Sequence, residues 1–359
     1  MTAKALHRSH IPLRETDMRC DRVQSLNDPQ SPQRSGSEQA TGLRVNDLTV
    51  TFGRGRKAFN VIESLNFEVA AGETLGLVGE SGSGKSMTAA ALMGWLPWGG
   101  RSSGSVQLGD TEITRLSKTA LRATRGREVG MIFQNPLSSL NPSLTVAQQI
   151  AEPYRLYCGA TAPAARSHAR QLLQEVGVPD AERRLDDYPH QFSGGMRQRV
   201  MIAMALACSP RLLIADEPTT ALDVINQAQI LRLIQRLQKE HGMAVIFITH
   251  DLSLVAEYAQ KVMVLYAGKT VEQGPAEDFF CSPRHPYSQA LLHAIPRLVN
   301  MEERLSDIDG LPPRPQEFPV GCRFAPRCPA MTPECLTAYP AQQGGAHHFY
   351  CIHPVGAVS

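Results

Sequence analysis

Gly79-Glu80-Ser81-Gly82-Ser83-Gly84-Lys85-Ser86 is the stretch that decides the fold of this chain. It matches the phosphate-binding pattern G-x-x-x-x-G-K-[ST] at every fixed position. The apolar run 74–78 before it is typical of a buried strand, and the Ala-, Leu- and Met-rich segment 87–95 after it predicts a helix. Strand, loop and helix in this order predict an α/β fold built around an anion site.

The residue types of this loop suit a bound polyphosphate. Its glycines, at 79, 82 and 84, let the backbone N–H groups point at phosphate oxygens near the positive end of the following helix. Lys85 would reach the β- and γ-phosphates, and the Ser86 hydroxyl would ligate Mg²⁺. The stretch therefore predicts a nucleotide and its metal ion.

Composition narrows the class of protein. The 359 residues include 36 basic and 34 acidic side chains, and a net charge of +2 implies no strong field for a polyanion such as nucleic acid. No apolar run approaches the roughly 20 residues of a membrane span, and residues 1–42 contain no apolar signal-peptide core. We expect a cytosolic protein, free to dock on a membrane, with a disordered polar extension over 1–42.

Alternating and continuous apolar runs place the other elements. Residues 99–104 are expected to form a loop, and helices separated by Pro163 and Pro179 are expected within 145–182. This inserts a helical part into an otherwise α/β chain. Strands are predicted at 43–50, 64–69, 129–133, 212–215 and 244–249.

Polar residues that follow these strands are candidates for chemistry. Asp216 and Glu217 end a buried strand; the first can hold Mg²⁺, usually through water, and the second can polarise an attacking water. His250 ends the next strand, at the same edge of the sheet. A second anion site is predicted where Ser193, Gly194 and Gly195 open a helix, and its sharing across a dimer is a natural inference.

Taken in order, these motifs resemble those of the ATP-binding cassette ATPases over roughly residues 43–275. The resemblance implies a RecA-like core with an antiparallel β subdomain and an inserted helical subdomain at about 135–200. It also implies that two cassettes face head to tail, each ATP lying between one phosphate loop and the other subunit's Ser-Gly-Gly segment.

The same resemblance implies roles for single residues. Phe52 would stack on adenine, and Glu217 would be the general base. Gln134 would sense Mg²⁺ and the transmembrane partner, His250 would contact the γ-phosphate and the attacking water, and Asp223 would belong to the loop that links the two sites.

Three further stretches resemble oligopeptide and dipeptide permease ATPase subunits: 134–142, 188–199 and His285-Pro286-Tyr287-Ser288, the last within a C-terminal extension at 276–359. Members of this family also carry nickel, glutathione or antimicrobial peptides. The resemblance implies a second, different ATPase subunit, two membrane permease subunits, an external binding protein, and a place at the cytoplasmic face of the inner membrane. A homodimer remains an alternative.

Four cysteines crowd into the tail with spacings x5, x6 and x15: Cys322, Cys328, Cys335 and Cys351. The tight C-x(2–4)-C pair of structural zinc sites is absent, so the pattern favours a [4Fe–4S] cluster, and the tail resembles the cysteine-bearing tail of some peptide-permease ATPases. Zinc held with His347, His348 or His353, and reduced unligated thiols, are the alternatives.

We therefore expect an ATP-hydrolysing subunit of a peptide importer. An importer for another cargo of the same family is the first alternative. A soluble cassette protein acting on nucleic acid or ribosomes is a second, although the single phosphate loop and the absence of heptads and of a basic stripe speak against it. A nucleotide-binding regulator with little hydrolysis is a third, discouraged by Glu217 and His250.

Overall fold

The computed structural model describes residues 42–220, 222–294 and 308–356. The extension predicted over 1–42 lies, apart from Gly42, outside these residues. The strands, in chain order, are β1 (Leu43–Phe52), β2 (Phe59–Val69), β3 (Thr74–Val78), β4 (Arg101–Leu108), β5 (Thr111–Glu112), β6 (Val129–Ile132), β7 (Leu212–Asp216), β8 (Ala244–Ile248), β9 (Lys261–Tyr266), β10 (Lys269–Pro275), β11 (Gln343–Gly344) and β12 (His348–Phe349).

Helices separate and cover these strands. In the described part of the chain they are α1 (Lys85–Leu92), α2 (Lys118–Glu128), α3 (Pro136–Ser139), α4 (Val146–Cys158), α5 (Ala162–Glu175), α6 (Ala181–Arg184), α7 (Gly194–Leu206), α8 (Val224–His241), α9 (Leu252–Tyr258), α10 (Ala276–Cys281) and α11 (Pro286–His293). None of them is long and apolar enough to span a membrane.

The central sheet positions the site. Its strands run in the order β11-β12-β10-β9-β3-β8-β7-β6, and β9, β3, β8, β7 and β6 are parallel. Both faces are buried: along β7, Leu212 and Ile214 pack on one side, and Leu213 and Ala215 on the other. Burial on both faces is why these strands are continuous apolar runs in the sequence.

A second, antiparallel sheet packs beside the first. Its order is β2-β1-β4-β5, and Leu43, Leu48 and Leu65 from it join the core beneath β3 and α1. The predicted α/β fold with an antiparallel part is confirmed. The loop prediction for 99–104 was wrong from residue 101 onward, because Arg101 already begins β4 and pairs with Thr51.

Helices α3 to α7 form the inserted helical part. Pro163 does not separate two helices, as the sequence predicted, but lies in the first turn of α5, where a missing N–H costs nothing. Pro153 lies inside α4. Helix α4 begins with a capping box in which Thr145 accepts from the Gln148 N–H and the Gln148 side chain accepts from the Thr145 N–H.

The C-terminal extension is part of the same body. Strand β12 pairs with β10, so the central sheet continues into the tail. The carboxylate of Glu272 on β10 is completely buried and accepts hydrogen bonds from the backbone N–H groups of Arg284 and His285 and from the His347 ring. These charge-assisted bonds tie the start of α11 and the tail to one strand of the central sheet.

Close packing beside β3 predicts the result of one substitution. A Cβ added at Gly76 would lie 2.5 Å from Cγ1 of Val255, which is fully buried on α9. Gly76→Ala should therefore lower the free energy of unfolding by about 1–3 kcal/mol, measured by urea denaturation. Val255→Ala in the same chain should recover part of this loss.

Gly345→Ala is the matched control, because an added Cβ there meets no atom within 4 Å. Equal stability of Gly76→Ala and Gly345→Ala would contradict the packing argument.

Candidate functional site

The phosphate loop lies between β3 and α1 and depends on its glycines. Gly79, Gly82 and Gly84 have φ angles of +147°, +78° and +108°, which side chains with a Cβ rarely adopt. At Gly79 a Cβ would also lie 2.2 Å from the carbonyl oxygen of Leu265. The predicted strand–loop–helix context is present.

Lys85 points back into this loop. Its ammonium donates to the carbonyl oxygens of Gly79 at 2.7 Å and Glu80 at 3.0 Å, and the residue is buried. Burial lowers the pKa of Lys85, while Glu217, Asp216 and Glu80 oppose that change. A cation is thus held in the loop where phosphate oxygens would arrive.

Ser86 and Asp216 form an oxygen pair beside the loop. The Ser86 hydroxyl hydrogen-bonds to the Asp216 carboxylate, and burial raises the pKa of that carboxyl. Mg²⁺ in nucleotide sites characteristically uses one or two carboxylates, waters and the phosphates themselves. The pair fits such an ion, whose remaining ligands would come from nucleotide and water.

The carboxylate of Glu217 lies within hydrogen-bond distance of three polar side chains. Oε2 accepts from Gln134 Nε2 at 2.8 Å and from the Thr220 hydroxyl at 2.9 Å, and Oε1 lies 3.2 Å from His250 Nδ1. The structure therefore brings together Gln134, Glu217 and His250, which come from three separate segments. Thr220 was missed, because a threonine in a loop carries no sequence signal.

The backbone and charge state of Glu217 are unusual. Its φ is +47°, an uncommon conformation for a residue other than glycine, and its N–H donates to the Ile248 carbonyl at the end of β8. Burial raises its pKa, but hydrogen bonds from His250 and Thr220 and the charges of His250 and Lys85 outweigh this and leave the pKa below its ordinary value. An ionised carboxylate held in this way can accept a proton.

The Ser-Gly-Gly segment lies at the start of α7. Ser193 caps the helix by accepting from the Met196 N–H at 3.4 Å, and Ser193 and Gly194 are exposed. From the buried side of the helix, Gln198 donates to the Pro218 carbonyl at 2.6 Å, directly beyond Glu217. The segment is thus joined to the loop after β7, and its first two residues are exposed.

Asp223 and Phe52 were also predicted to belong to the nucleotide site. Asp223 is exposed and caps α8 by accepting from the Asn226 N–H at 3.0 Å; hydrogen bonds from the Asn226 backbone and side chain hold the pKa of Asp223 below its usual range. Phe52 is half-buried and stacks on Phe59, with ring centroids 6.2 Å apart. The roles assigned to both in nucleotide binding remain predictions.

The four tail cysteines converge. Cys322, Cys328, Cys335 and Cys351 are free thiols and line one small cavity together with His285 and His353. Burial, then the neighbouring thiols, raise the pKa of Cys351 to about 12. Within the described ranges, no group of three or more His, Cys, Asp or Glu side chains is placed to hold a metal ion. The described residues therefore give no support for the predicted iron–sulfur cluster or for zinc.

His285 has an orphaned nitrogen next to these thiols. Its Nδ1 accepts from the Tyr287 N–H at 3.1 Å, so Nε2 carries the proton of the neutral ring. Burial lowers the pKa of His285 to about 4, which keeps the ring neutral at pH 7. Nε2 is buried and has no hydrogen-bond partner among the described residues.

Two contacts on the phosphate loop were not foreseen. The extension reaches Glu80 through Arg327 and through Tyr287, each at 2.9 Å. Tyr287 belongs to the His-Pro-Tyr-Ser stretch, to which no role was assigned, and Arg327 carried no sequence signal at all. Both contacts bridge more than 200 positions along the chain, which local patterns do not reveal.

Comparison with known proteins agrees with this geometry. Residues 62–220 match the ABC transporter family, and residues 271–335 match the C-terminal region of oligopeptide/dipeptide transporters. The chain is 49% identical to the dipeptide transport ATP-binding protein DppD of Haemophilus influenzae over 299 residues, which are 83% of this chain and 91% of that protein. It is 50% identical to the oligopeptide transport ATP-binding protein OppD of Salmonella typhimurium over 300 residues, 84% and 90% of the two chains.

Solved structures show the same architecture. The ATP-binding cassette MJ0796, as a dimer bound to ADP and phosphate, is 28% identical, with a TM-score of 0.57 over 65% of this chain and 98% of that chain. The cbiO1 protein of Clostridium perfringens, part of the ABC transporter complex cbiONQ, is 27% identical, with a TM-score of 0.58 over 67% and 91% of the two chains.

The environment of Glu217 predicts a pH dependence. Because its pKa in the folded chain lies below the ordinary 4.5, Glu217 stabilises the folded state above that pH, and this contribution is lost as the pH falls through the folded value. The difference in unfolding free energy between wild type and Glu217→Gln should change as the pH falls below about 4.5, in the direction that penalises wild type.

Urea denaturation across this range measures the difference. Repeating it in a Thr220→Val background is the control: removing one hydrogen bond that lowers the pKa should make the change smaller. A difference that does not vary with pH down to about pH 3.5 would contradict the assigned environment.

Proposed function

The chain belongs to the ATP-binding proteins of ABC transporters, which hydrolyse ATP, and we propose that it drives an importer of oligopeptides or dipeptides. One observation carries the proposal. All the phosphate-loop and carboxylate residues expected for ATP hydrolysis are present, and the same chain matches the C-terminal region of oligopeptide/dipeptide transporters at 271–335. The names of the relatives, which are dipeptide and oligopeptide transport proteins, support the cargo.

ATP lies along the phosphate loop in this proposal. Residues 79–86 surround the β- and γ-phosphates, Lys85 neutralises them, and Phe52 stacks on the adenine. Ser86, Asp216 and Gln134 would hold Mg²⁺. Mg²⁺ supplies charge neutralisation for the phosphates when bound.

Glu217 is the general base. It takes a proton from a water molecule while the water oxygen bonds to the γ-phosphorus and the bond from that phosphorus to the bridging oxygen of ADP breaks. His250 and Thr220 hold the carboxylate in place. Gln134, bonded to the same carboxylate, links the state of the site to the surface beyond β6.

Two cassettes complete each site. Ser193, Gly194 and Gly195 bind the γ-phosphate of ATP on a second ATPase subunit, and Asp223 lies in the loop between the two sites. ATP closes this dimer, and hydrolysis reopens it. The exposure of Ser193 and Gly194 at the start of a helix supports such sharing, because a helix N-terminus favours an anion.

The membrane partners dock on the helical part. An apolar groove of about 270 Å³ runs between α2, β6, α4 and α7, lined by Phe133, Met131, Tyr157 and Met201 among others. Phe133, next to Gln134, is 38% exposed there. We assign this groove to the two permease subunits, which place the chain at the cytoplasmic face of the inner membrane and receive cargo from an external binding protein.

The proposal is tested with Glu217→Gln. A general base contributes roughly 10²–10⁴ in rate, so this variant should bind ATP but hardly hydrolyse it. In cells whose only copy is the variant, uptake of labelled di-, tri- or pentapeptides should fall to background. Glu240→Gln, which alters an exposed carboxylate near the C-terminal end of α8, is the matched control and should transport normally.

The outcomes separate cargo from chemistry. Loss of nickel or glutathione uptake with normal peptide uptake would show that the proposed peptide cargo is wrong. The proposed ATPase activity would be unaffected by that result. Near-wild-type hydrolysis by Glu217→Gln would contradict the role given to this carboxylate.

For the tail we propose a [4Fe–4S] cluster on Cys322, Cys328, Cys335 and Cys351. Four free thiols around one cavity are the donors that such a cluster uses. The orphaned N–H of His285, in the same lining, suits hydrogen bonding to cluster sulfur. The bound cluster would supply a covalent link among four loop segments.

Iron and acid-labile sulfide analysis tests this assignment. Anaerobically purified protein should contain about four of each per chain, and Cys335→Ser should lose most of them. Cys158→Ser, outside the tail, should keep them. About one zinc per chain, or neither metal, would overturn the cluster.

A further inference from the structure

Glu80, the second residue of the phosphate loop, is gripped at two points by the C-terminal extension. Its backbone N–H donates to the Tyr287 hydroxyl at 2.9 Å, and its carboxylate accepts from Arg327 Nη1 at 2.9 Å. The first bond fixes the course of the backbone directly after Gly79. The second neutralises the charge of the side chain.

Arg327 is itself held rigidly. Its side chain is 6% exposed, and its other donors bond to the carbonyl oxygens of Asp309 and Ile308 at 2.9 Å and to the Tyr266 hydroxyl at 3.2 Å. A guanidinium anchored by this many acceptors cannot follow a moving partner, so it sets the position of Glu80 rather than the reverse.

Tyr287 is equally constrained. It is fully buried and packs against Tyr266 and Phe324, with ring centroids 4.6 and 5.2 Å away. Phe324 lies between the first two cysteines of the tail in sequence. The aromatic cluster thus connects the cysteine-lined cavity to the hydroxyl that holds the phosphate loop.

A neighbouring arginine reaches the loop by a second route. Arg323, also buried, donates to the Ala267 carbonyl and pairs with Glu63. Gly268, which follows Ala267 in the chain, donates its N–H to the Ser83 carbonyl at 2.8 Å. Both arginines are adjacent in sequence to cysteines that line the cavity. The folded tail is therefore connected to the phosphate loop through both of them.

The ion pair between Glu80 and Arg327 affects the charge that a bound nucleotide would meet in the phosphate loop. The carbonyl of Glu80 accepts from Lys85, so its carboxylate belongs to the residue that also orients the phosphate-binding cation. Left unpaired, a partly buried carboxylate in this loop would repel a triphosphate and compete for Lys85. Pairing with Arg327 removes that opposing charge.

We propose that Tyr287 and Arg327 are positioning residues for ATP, which hold Glu80 so that the affinity of the phosphate loop depends on the folded C-terminal extension. This rests on the proposed placement of ATP on the loop, but not on the identity of the cargo.

Nucleotide affinity of the full-length chain tests the proposal. The probe is Mg²⁺ with the non-hydrolysable analogue AMP-PNP, titrated by calorimetry. Arg327→Met should bind about tenfold more weakly, and Tyr287→Phe, which keeps the packed ring, about threefold more weakly. Arg314→Met, an exposed arginine of the same extension, is the matched control and should bind as wild type does.

A double variant separates positioning by charge from a structural defect. In Arg327→Met with Glu80→Gln no carboxylate is left unpaired, so affinity should return to within about threefold of wild type. In the assembled transporter, KM for ATP should rise in Arg327→Met while kcat changes by less than about twofold.

Each other result counts against the proposal. Unchanged affinity in both Arg327→Met and Tyr287→Phe would overturn it, as would a double variant no better than Arg327→Met. Where Arg327→Met does not fold, Tyr287→Phe decides, because it removes one hydroxyl only. Lys85→Met tests the premise separately: normal binding by that variant would mean that ATP is not on this loop.

Discussion

The parallel pairing of β3, β8 and β7 is the constraint on which the site depends. Leu77 pairs with Ile248, and Asp216 pairs with Ile248 from the other side, so three strands end at one level. The phosphate loop, Asp216–Glu217 and His250 each follow one of these ends. Since carboxyl ends of parallel strands share an edge, Ser86 and Asp216, which are 130 positions apart, meet within hydrogen-bond distance of each other.

The carboxylate of Glu217 shows how much tertiary structure such an edge requires. Its three side-chain partners come from the segment after β6, the loop after β7 and the end of β8. Its left-handed backbone is held by the Ile248 carbonyl. Strain of this kind is tolerated where the surroundings over-determine the conformation, and it occurs here at the group proposed to take the proton.

The C-terminal extension belongs to this arrangement. Glu272, buried in β10, accepts a hydrogen bond from the N–H of His285 at the start of α11. Tyr287 packs in the aromatic cluster with Tyr266 and Phe324, and its hydroxyl accepts from the Glu80 N–H. A tail that is poor in regular structure is therefore packed against the nucleotide loop. Its cysteines line a cavity within the same packed region.

Local patterns of apolar periodicity, glycines and fixed spacings were enough to predict the α/β fold, the phosphate loop, the order of the strands along the chain, and Glu217 and His250 as site residues. Gln134 was assigned only through the family resemblance. The local patterns misjudged Pro163 and residues 101–104, where helix position and strand pairing override local preference. The contacts of Thr220 with Glu217, and of Tyr287 and Arg327 with Glu80, became visible in the folded structure alone. Contacts between segments far apart in the chain depend on packing, which no local pattern records.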